Sequence, residues 1–182
     1  MANAIGLIEL CSVAKGFEVS DALLKAAGSY LIEAHSVCPG KFIVLIAGET
    51  ADVESSLNDG LSIAEDALVD KLFIPNIHPQ LLPAIRGTSA PGDLDALGII
   101  ETFSASSAII AADQAAKKAD IRLIDVRLAN ALGGKGYLTL TGSIGSVRSA
   151  VNAGCMALKE EGILIRRVII PQPHPDLRKS VM

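Results

Sequence analysis

Aromatic residues are nearly missing from this chain of 182 residues. They make up 3% of it, and tryptophan does not occur. A nucleic-acid surface needs a basic stripe, commonly with aromatics for base stacking, and a formal charge of −4 with no such stripe argues against one. Long apolar runs are absent too: no uninterrupted stretch approaches the roughly 18 residues of a membrane span. The start, Met1-Ala2-Asn3-Ala4, has no positive segment, and Glu9 interrupts the apolar residues behind it, so no secretory leader is expected. The expected location is the cytoplasm. Cysteine is scarce and odd in number. Cys11, Cys38 and Cys155 make no CxxC or Cys/His spacing, which excludes a zinc finger and argues against a disulfide framework. Ser/His/Asp arrangements, paired carboxylates and nucleotide fingerprints are also missing. Gly133-Gly134-Lys135-Gly136 leads into a strand, whereas a phosphate loop carries Gly-x-x-x-x-Gly-Lys-Ser/Thr before a helix. An enzyme is therefore not expected.

What is present is a repeat. Ile5-Gly6-Leu7-Ile8-Glu9 returns as Leu97-Gly98-Ile99-Ile100-Glu101, an offset of 92 (98 − 6). Asp21, Lys25 and Leu31-Ile32 return at the same offset as Asp113, Lys117 and Leu123-Ile124. Gly40-Lys41, Gly48, Val53 and Gly60 return at 94 (134 − 40) as Gly134-Lys135, Gly142, Val147 and Gly154. Pro75-Asn76-Ile77-His78-Pro79-Gln80-Leu81 returns at 96 (174 − 78) as Pro171-Gln172-Pro173-His174-Pro175-Asp176-Leu177. The offset grows by two residues twice, as small loop insertions would make it. A repeat this long is a domain and not a solenoid unit. The boundaries expected are a first domain over residues 1–81, a linker over 82–94 with Pro83, Gly87, Pro91 and Gly92, and a second domain over 95–182.

Half of the residues are hydrophobic, so each domain is large enough for a core of Ala, Val, Ile and Leu. Each repeat reads strand, helix, strand, strand, helix, strand. In the first repeat the strands are Ala4 to Leu10, Tyr30 to Ala34, Lys41 to Ile46 and Lys71 to Pro75. Ser20-Asp21 reads as the cap of a helix ending near Gly28, and a second helix runs from Gly48-Thr50 to about Leu68. In the second repeat the strands are Ile99 to Phe103, Ile121 to Leu128, Tyr137 to Thr141 and Leu164 to Ile170. The helices are Ala108 to Ala119 and Ser146 to Glu161. This order predicts an α+β fold of two tandem ferredoxin-like βαββαβ domains.

Cys38 falls in the loop His35 to Gly40, where the second repeat has Ala131-Leu132-Gly133 and no cysteine. One thiol holds no cluster alone. Three chains meeting at an axis through this loop would bring three thiolates together, a donor set suited to iron–sulfur; otherwise Cys38 is a small loop residue. Cys11 and Cys155 read as buried small hydrophobes. His78 and His174 occupy equal places, and the duplication favours a structural role. Lys25 and Lys117 lie on equivalent helices, as solvated residues or as a shared edge contact between subunits.

The Gly-Ile/Leu-Ile-Glu strand, the Asp-x-x-x-Lys-Ala helix (Asp21 to Ala26, Asp113 to Lys117), the Gly-Lys strand and the Pro-x-x-His ending together resemble the bacterial microcompartment shell proteins. The resemblance covers nearly the whole chain, twice. It implies the tandem-domain class, in which three chains form a pseudohexamer that tiles with other shell proteins. The loop Val37 to Phe42 is similar to that of the propanediol-utilisation members. That similarity implies a 4Fe–4S cluster at the central pore, one per trimer, held by Cys38 of each chain. It further implies Ser36, Val37, Pro39, Gly40, Leu132, Gly133 and Gly134 as pore lining, and electron transfer to an encapsulated or cytosolic redox protein. The alternative is a tile whose pore passes a metabolite, with Cys38 unmetallated. One departure stands out: Asn76 and Gln172 replace the arginine common in the ending of hexameric members.

Overall fold

The computed structural model describes residues 3–90, 92–158 and 163–181. The chain ends, Pro91 of the expected linker and the expected helix end Glu161 lie outside them. The chain divides into two compact units, Met1–Ile77 and His78–Met182. The first contains β1 (Ala4–Leu10), α1 (Val13–Ala26), β2 (Tyr30–Val37), β3 (Lys41–Gly48), α2 (Thr50–Ala64) and β4 (Leu68–Pro75). The second opens with a short helix, α3 (Leu81–Ile85). It continues with β5 (Ala96–Thr102), α4 (Ala105–Lys118), β6 (Arg122–Leu128), β7 (Gly136–Gly142), α5 (Ile144–Met156) and β8 (Leu164–Ile170). A 3-10 helix follows at Pro175–Ser180.

Both sheets are antiparallel, in the orders β2-β3-β1-β4 and β6-β7-β5-β8. This is the expected ferredoxin-like topology, unpermuted in each half. In the first unit, Ile8, Leu10, Phe42 and Val44 pack against Val19 and Leu23 of α1 and Val53 and Leu57 of α2. Ile5, Leu7, Ile43 and Leu45 point to the other face and are buried as well. Burial on both faces explains why β1 and β3 read as continuous apolar runs without alternation.

Several boundaries differ from the sequence reading. α1 begins at Val13, capped by Ser12, whose Oγ accepts from Lys15 N at 3.3 Å. Ser20 and Asp21 lie inside this helix, and Ser20 Oγ donates to Gly16 O at 2.6 Å. Gly16 disguises the early start because glycine disfavours helix interiors. Packing requires it: a Cβ there would lie 2.3 Å from Cδ1 of Phe42. β2 runs past Ala34 to Val37, since Ser36 and Val37 still pair with Phe42 and Lys41. The expected loop His35 to Gly40 therefore shrinks to Cys38-Pro39-Gly40. α2 ends at Ala64, short of Leu68, and β4 starts at Leu68 instead of Lys71. β5 starts at Ala96 and ends at Thr102, and α4 starts at Ala105 behind its Ser104 cap. The stretch read as a linker begins inside α3, where Leu81, Ala84 and Ile85 are buried.

Candidate functional site

β2 and β3 are joined by the turn Cys38-Pro39-Gly40, with Gly40 at φ +72°, a conformation costly for any side chain. Cys38 is exposed at its tip. Pro39 and Gly40 are exposed beside it, Ser36 is exposed on the strand below, and Val37 is buried. The base of the turn is held by an ion pair. Lys41 Nζ donates to Glu9 Oε1 at 2.7 Å, and the Glu9 side chain is only 4% exposed.

The second unit repeats the base and changes the tip. Lys135 Nζ donates to Glu101 Oε1 at 3.2 Å. The connection between β6 and β7 is longer, so the first two-residue growth of the offset falls here. Leu132 is half-buried, Gly133 exposed and Gly134 buried. The reading of the residues missed this duplicated ion pair, although it contains two of the repeated positions.

A second paired position was also missed. His35 Nε2 lies 3.1 Å from Glu33 Oε2, and Nδ1 lies 3.3 Å from Ser36 O. The Glu33 hydrogen bond holds the imidazole pKa above its usual 6.5, against the opposing effect of burial. Arg127 pairs with Asp125 at the equivalent places on β6. Alternation of Glu33 and His35 on a strand was the available signal, hidden by placing His35 in a loop.

The other cysteines differ from expectation. Cys11 is exposed and not buried, because β1 ends before it and its N–H bonds Ala67 O in the turn into α1. Cys155 is half-buried, and burial pushes its thiol pKa up while Arg167 opposes the shift. That thiol is poorly suited to act as a thiolate ligand. Among the described residues no group of three or more His, Cys, Asp or Glu could hold a metal ion.

The two histidines do the same local work. His78 Nδ1 accepts from Gln80 N, and His174 Nδ1 accepts from Asp176 N, each at 3.3 Å. Their carbonyls accept from Leu81 N at 2.9 Å and Leu177 N at 3.0 Å. These bonds turn the chain after the last strand, the structural role expected for them. Lys25 Nζ pairs with Asp21 Oδ2, and Lys117 Nζ with Asp113 Oδ2, each at 2.6 Å. The first pair is exposed. In the second, the Asp113 side chain is fully buried and its Oδ1 accepts from His78 N at 2.8 Å.

Comparison with known proteins agrees with this architecture. The BMC domain family matches residues 4–77 and again 96–173. The bacterial microcompartment shell protein PduT of Citrobacter freundii is 40% identical over 182 residues, covering all of this chain and 99% of that protein. PduA of the same organism, also a shell protein, is 34% identical over 87 residues, 47% of this chain and 89% of PduA. The crystal structure of a microcompartments protein from Desulfitobacterium hafniense DCB superposes with a TM-score of 0.94 at 47% identity, covering 98% of this chain and 99% of that one. No helix among the described residues is long and apolar enough to cross a membrane. With both repeats matched over most of their length, the chain belongs to the BMC domain family and is a two-domain shell protein of a bacterial microcompartment.

Proposed function

We propose that three copies of this chain close a six-domain ring that tiles with other shell proteins, and that the ring binds a 4Fe–4S cluster through Cys38 of each copy. The observation that supports this is the placement of Cys38. It is exposed at the tip of a short turn in one repeat, while the equivalent connection of the other repeat is longer and has no cysteine. Six identical domains would present six thiols; a duplicated domain with one thiol presents three.

The donor chemistry fits, since thiolate is the usual ligand of such clusters. Cys38 would supply the thiolates, and the Glu9–Lys41 pair would fix the base of the turn that carries them. A bound cluster would supply one-electron transfer, here across the shell to a redox protein on either side. Bond-making chemistry is not assigned to the chain. Ser36 and Val37 at the end of β2, the turn residues Pro39 and Gly40, and Leu132, Gly133 and Gly134 of the second repeat would surround the axis. Lys25 and Lys117 would serve contacts between neighbouring tiles.

The test is anaerobic purification of the wild type and Cys38→Ser, with iron and sulfide counted per trimer. The expected result is iron and sulfide in the wild type and none in Cys38→Ser, with the oligomer intact. Absence of iron from anaerobically reconstituted wild type would overturn the cluster and favour a tile whose pore conducts a metabolite.

A further inference from the structure

The β6 edge of the second domain is closed by the segment that precedes that domain. The Gln80 amide spans it: Nε2 donates to Ile121 O at 3.0 Å, and Oε1 accepts from Leu123 N at 2.8 Å. His78 N donates to buried Asp113, and α3 packs on α4 and β6. Leu123 and Ala116 are consequently 2% and 7% exposed.

The first domain has the same edge, without such a cover among the described residues. Asp21, Ser29 and Leu31 stand where Asp113, Ile121 and Leu123 stand, and the same register irregularity follows Leu31 as follows Leu123. Here the Asp21 side chain is 62% exposed, and Leu31 and Leu24, the latter equivalent to Ala116, are each 39% exposed. An uncovered edge strand with apolar neighbours is a pairing surface.

The covering segment itself also occurs twice. After β8 the chain bends at His174 through the same two hydrogen bonds that bend it at His78. Yet Leu177 is 37% exposed where its equivalent Leu81 is fully buried, and the Asp176 side chain is 88% exposed. The chain thus carries an edge without a strap and a strap without an edge. Both the edge residues and the strap residues are exposed to solvent.

We infer that the α1–β2 edge of the first domain is the docking surface for the carboxy-terminal strap, residues 171–181, of a second copy of this chain. His174 N–H meets the Asp21 carboxylate, Leu177 fills the place that Leu81 fills in the second domain, and Asp176 accepts from Leu31 N–H. Asp176 lacks the amide donor of Gln80, so the Ser29 carbonyl keeps no equivalent of the Gln80–Ile121 bond. The contact is head to tail, with different surfaces from the two copies, as ring closure requires. The inference rests on the ring-forming reading above and names its interface.

The experiment is mass determination in dilute solution for the full-length wild type, Asp21→Arg, Leu177→Asp and a 1:1 mixture of the two variants. The expected result is an oligomeric wild type and a threefold fall in mass for each variant alone. The mixture then recovers a pair of twice the single-chain mass, because one intact strap meets one intact edge. That recovery also shows that both variants are folded. An oligomeric wild type with variants of unchanged mass would overturn the interface while leaving the ring. Single-chain variants that fail to pair would overturn the head-to-tail contact. A single-chain wild type would overturn the ring and the interface together.

Discussion

Lys41 Nζ lies 2.7 Å from Glu9 Oε1, and the equivalent positions of the second repeat bring Lys135, just before β7, to 3.2 Å from Glu101. The duplicated pair is unequal in setting. The Glu9 side chain is 4% exposed and that of Glu101 is 36% exposed. A buried partner left unpaired costs more than a wet one. Glu9→Gln is therefore expected to lower stability by about 1–3 kcal/mol, and Glu101→Gln by about 0–1 kcal/mol. Urea unfolding of both variants checks the order; equal losses would contradict it.

The three cysteines should separate cleanly in iron binding. Cys11 lies in a turn at the end of β1 and Cys155 carries a thiol whose deprotonation burial disfavours. Cys11→Ser and Cys155→Ser are expected to keep wild-type iron and sulfide per trimer. Iron loss in either would move the site away from the Cys38 turn.

Gly16→Ala sets two effects against each other. Alanine favours a helix interior by about 1 kcal/mol over glycine. The new Cβ would lie 2.3 Å from Phe42 Cδ1, inside a core where Phe42 is 1% exposed. Overpacking of this kind costs about 1–3 kcal/mol. A net loss is expected in thermal unfolding, and a gain in Tm would show that Phe42 has room to move.

His35 gives the first domain a pH dependence of known sign. Its pKa is raised in the folded state by the Glu33 hydrogen bond. The protonated form is thus favoured by folding, and its stabilisation is full below the ordinary value of 6.5. It is lost as pH rises through the raised folded value. The side chain is 30% exposed, so the effect stays below about 1 kcal/mol. The difference in unfolding free energy between wild type and His35→Gln, followed from pH 5 to 8, is expected to shrink as pH rises.

Asp113 and Asp21 should respond differently to removal. Asp113 is fully buried and holds both Lys117 and the His78 N–H. Asp113→Ala is expected to cost about 3 kcal/mol. Asp21→Ala breaks an exposed pair and should cost less than about 1 kcal/mol in a single chain. Chemical unfolding at high dilution measures both.

Strand β1 and strand β8 lie where the sequence placed them: β1 is an apolar run broken only by Glu9 near its end, and β8 carries Leu and Ile before, and Val and Ile after, the pair Arg166-Arg167. The start of α1 was hidden by Gly16, whose presence answers to Phe42 across the core and not to helix propensity. α3 was hidden by the Pro and Gly around it. The Cys38 turn was legible from its composition. The ion pair beneath it was not, because Glu9 and Lys41 are 32 positions apart and meet only through the pairing of β1 with β3, where Glu9 lies opposite Ile43. Such a partnership on neighbouring strands follows from register, which composition does not carry.

The segment His78 to Ile85 belongs by sequence to the end of one repeat and by packing to the next unit. Repeat and structural unit are therefore out of phase. A second-domain fragment begun at Leu94 would lose the side chain that bridges Ile121 and Leu123, and would expose an edge strand that the whole chain keeps covered. One begun at His78 would retain it. Anyone dissecting this chain, or transplanting half of it, should cut before the histidine.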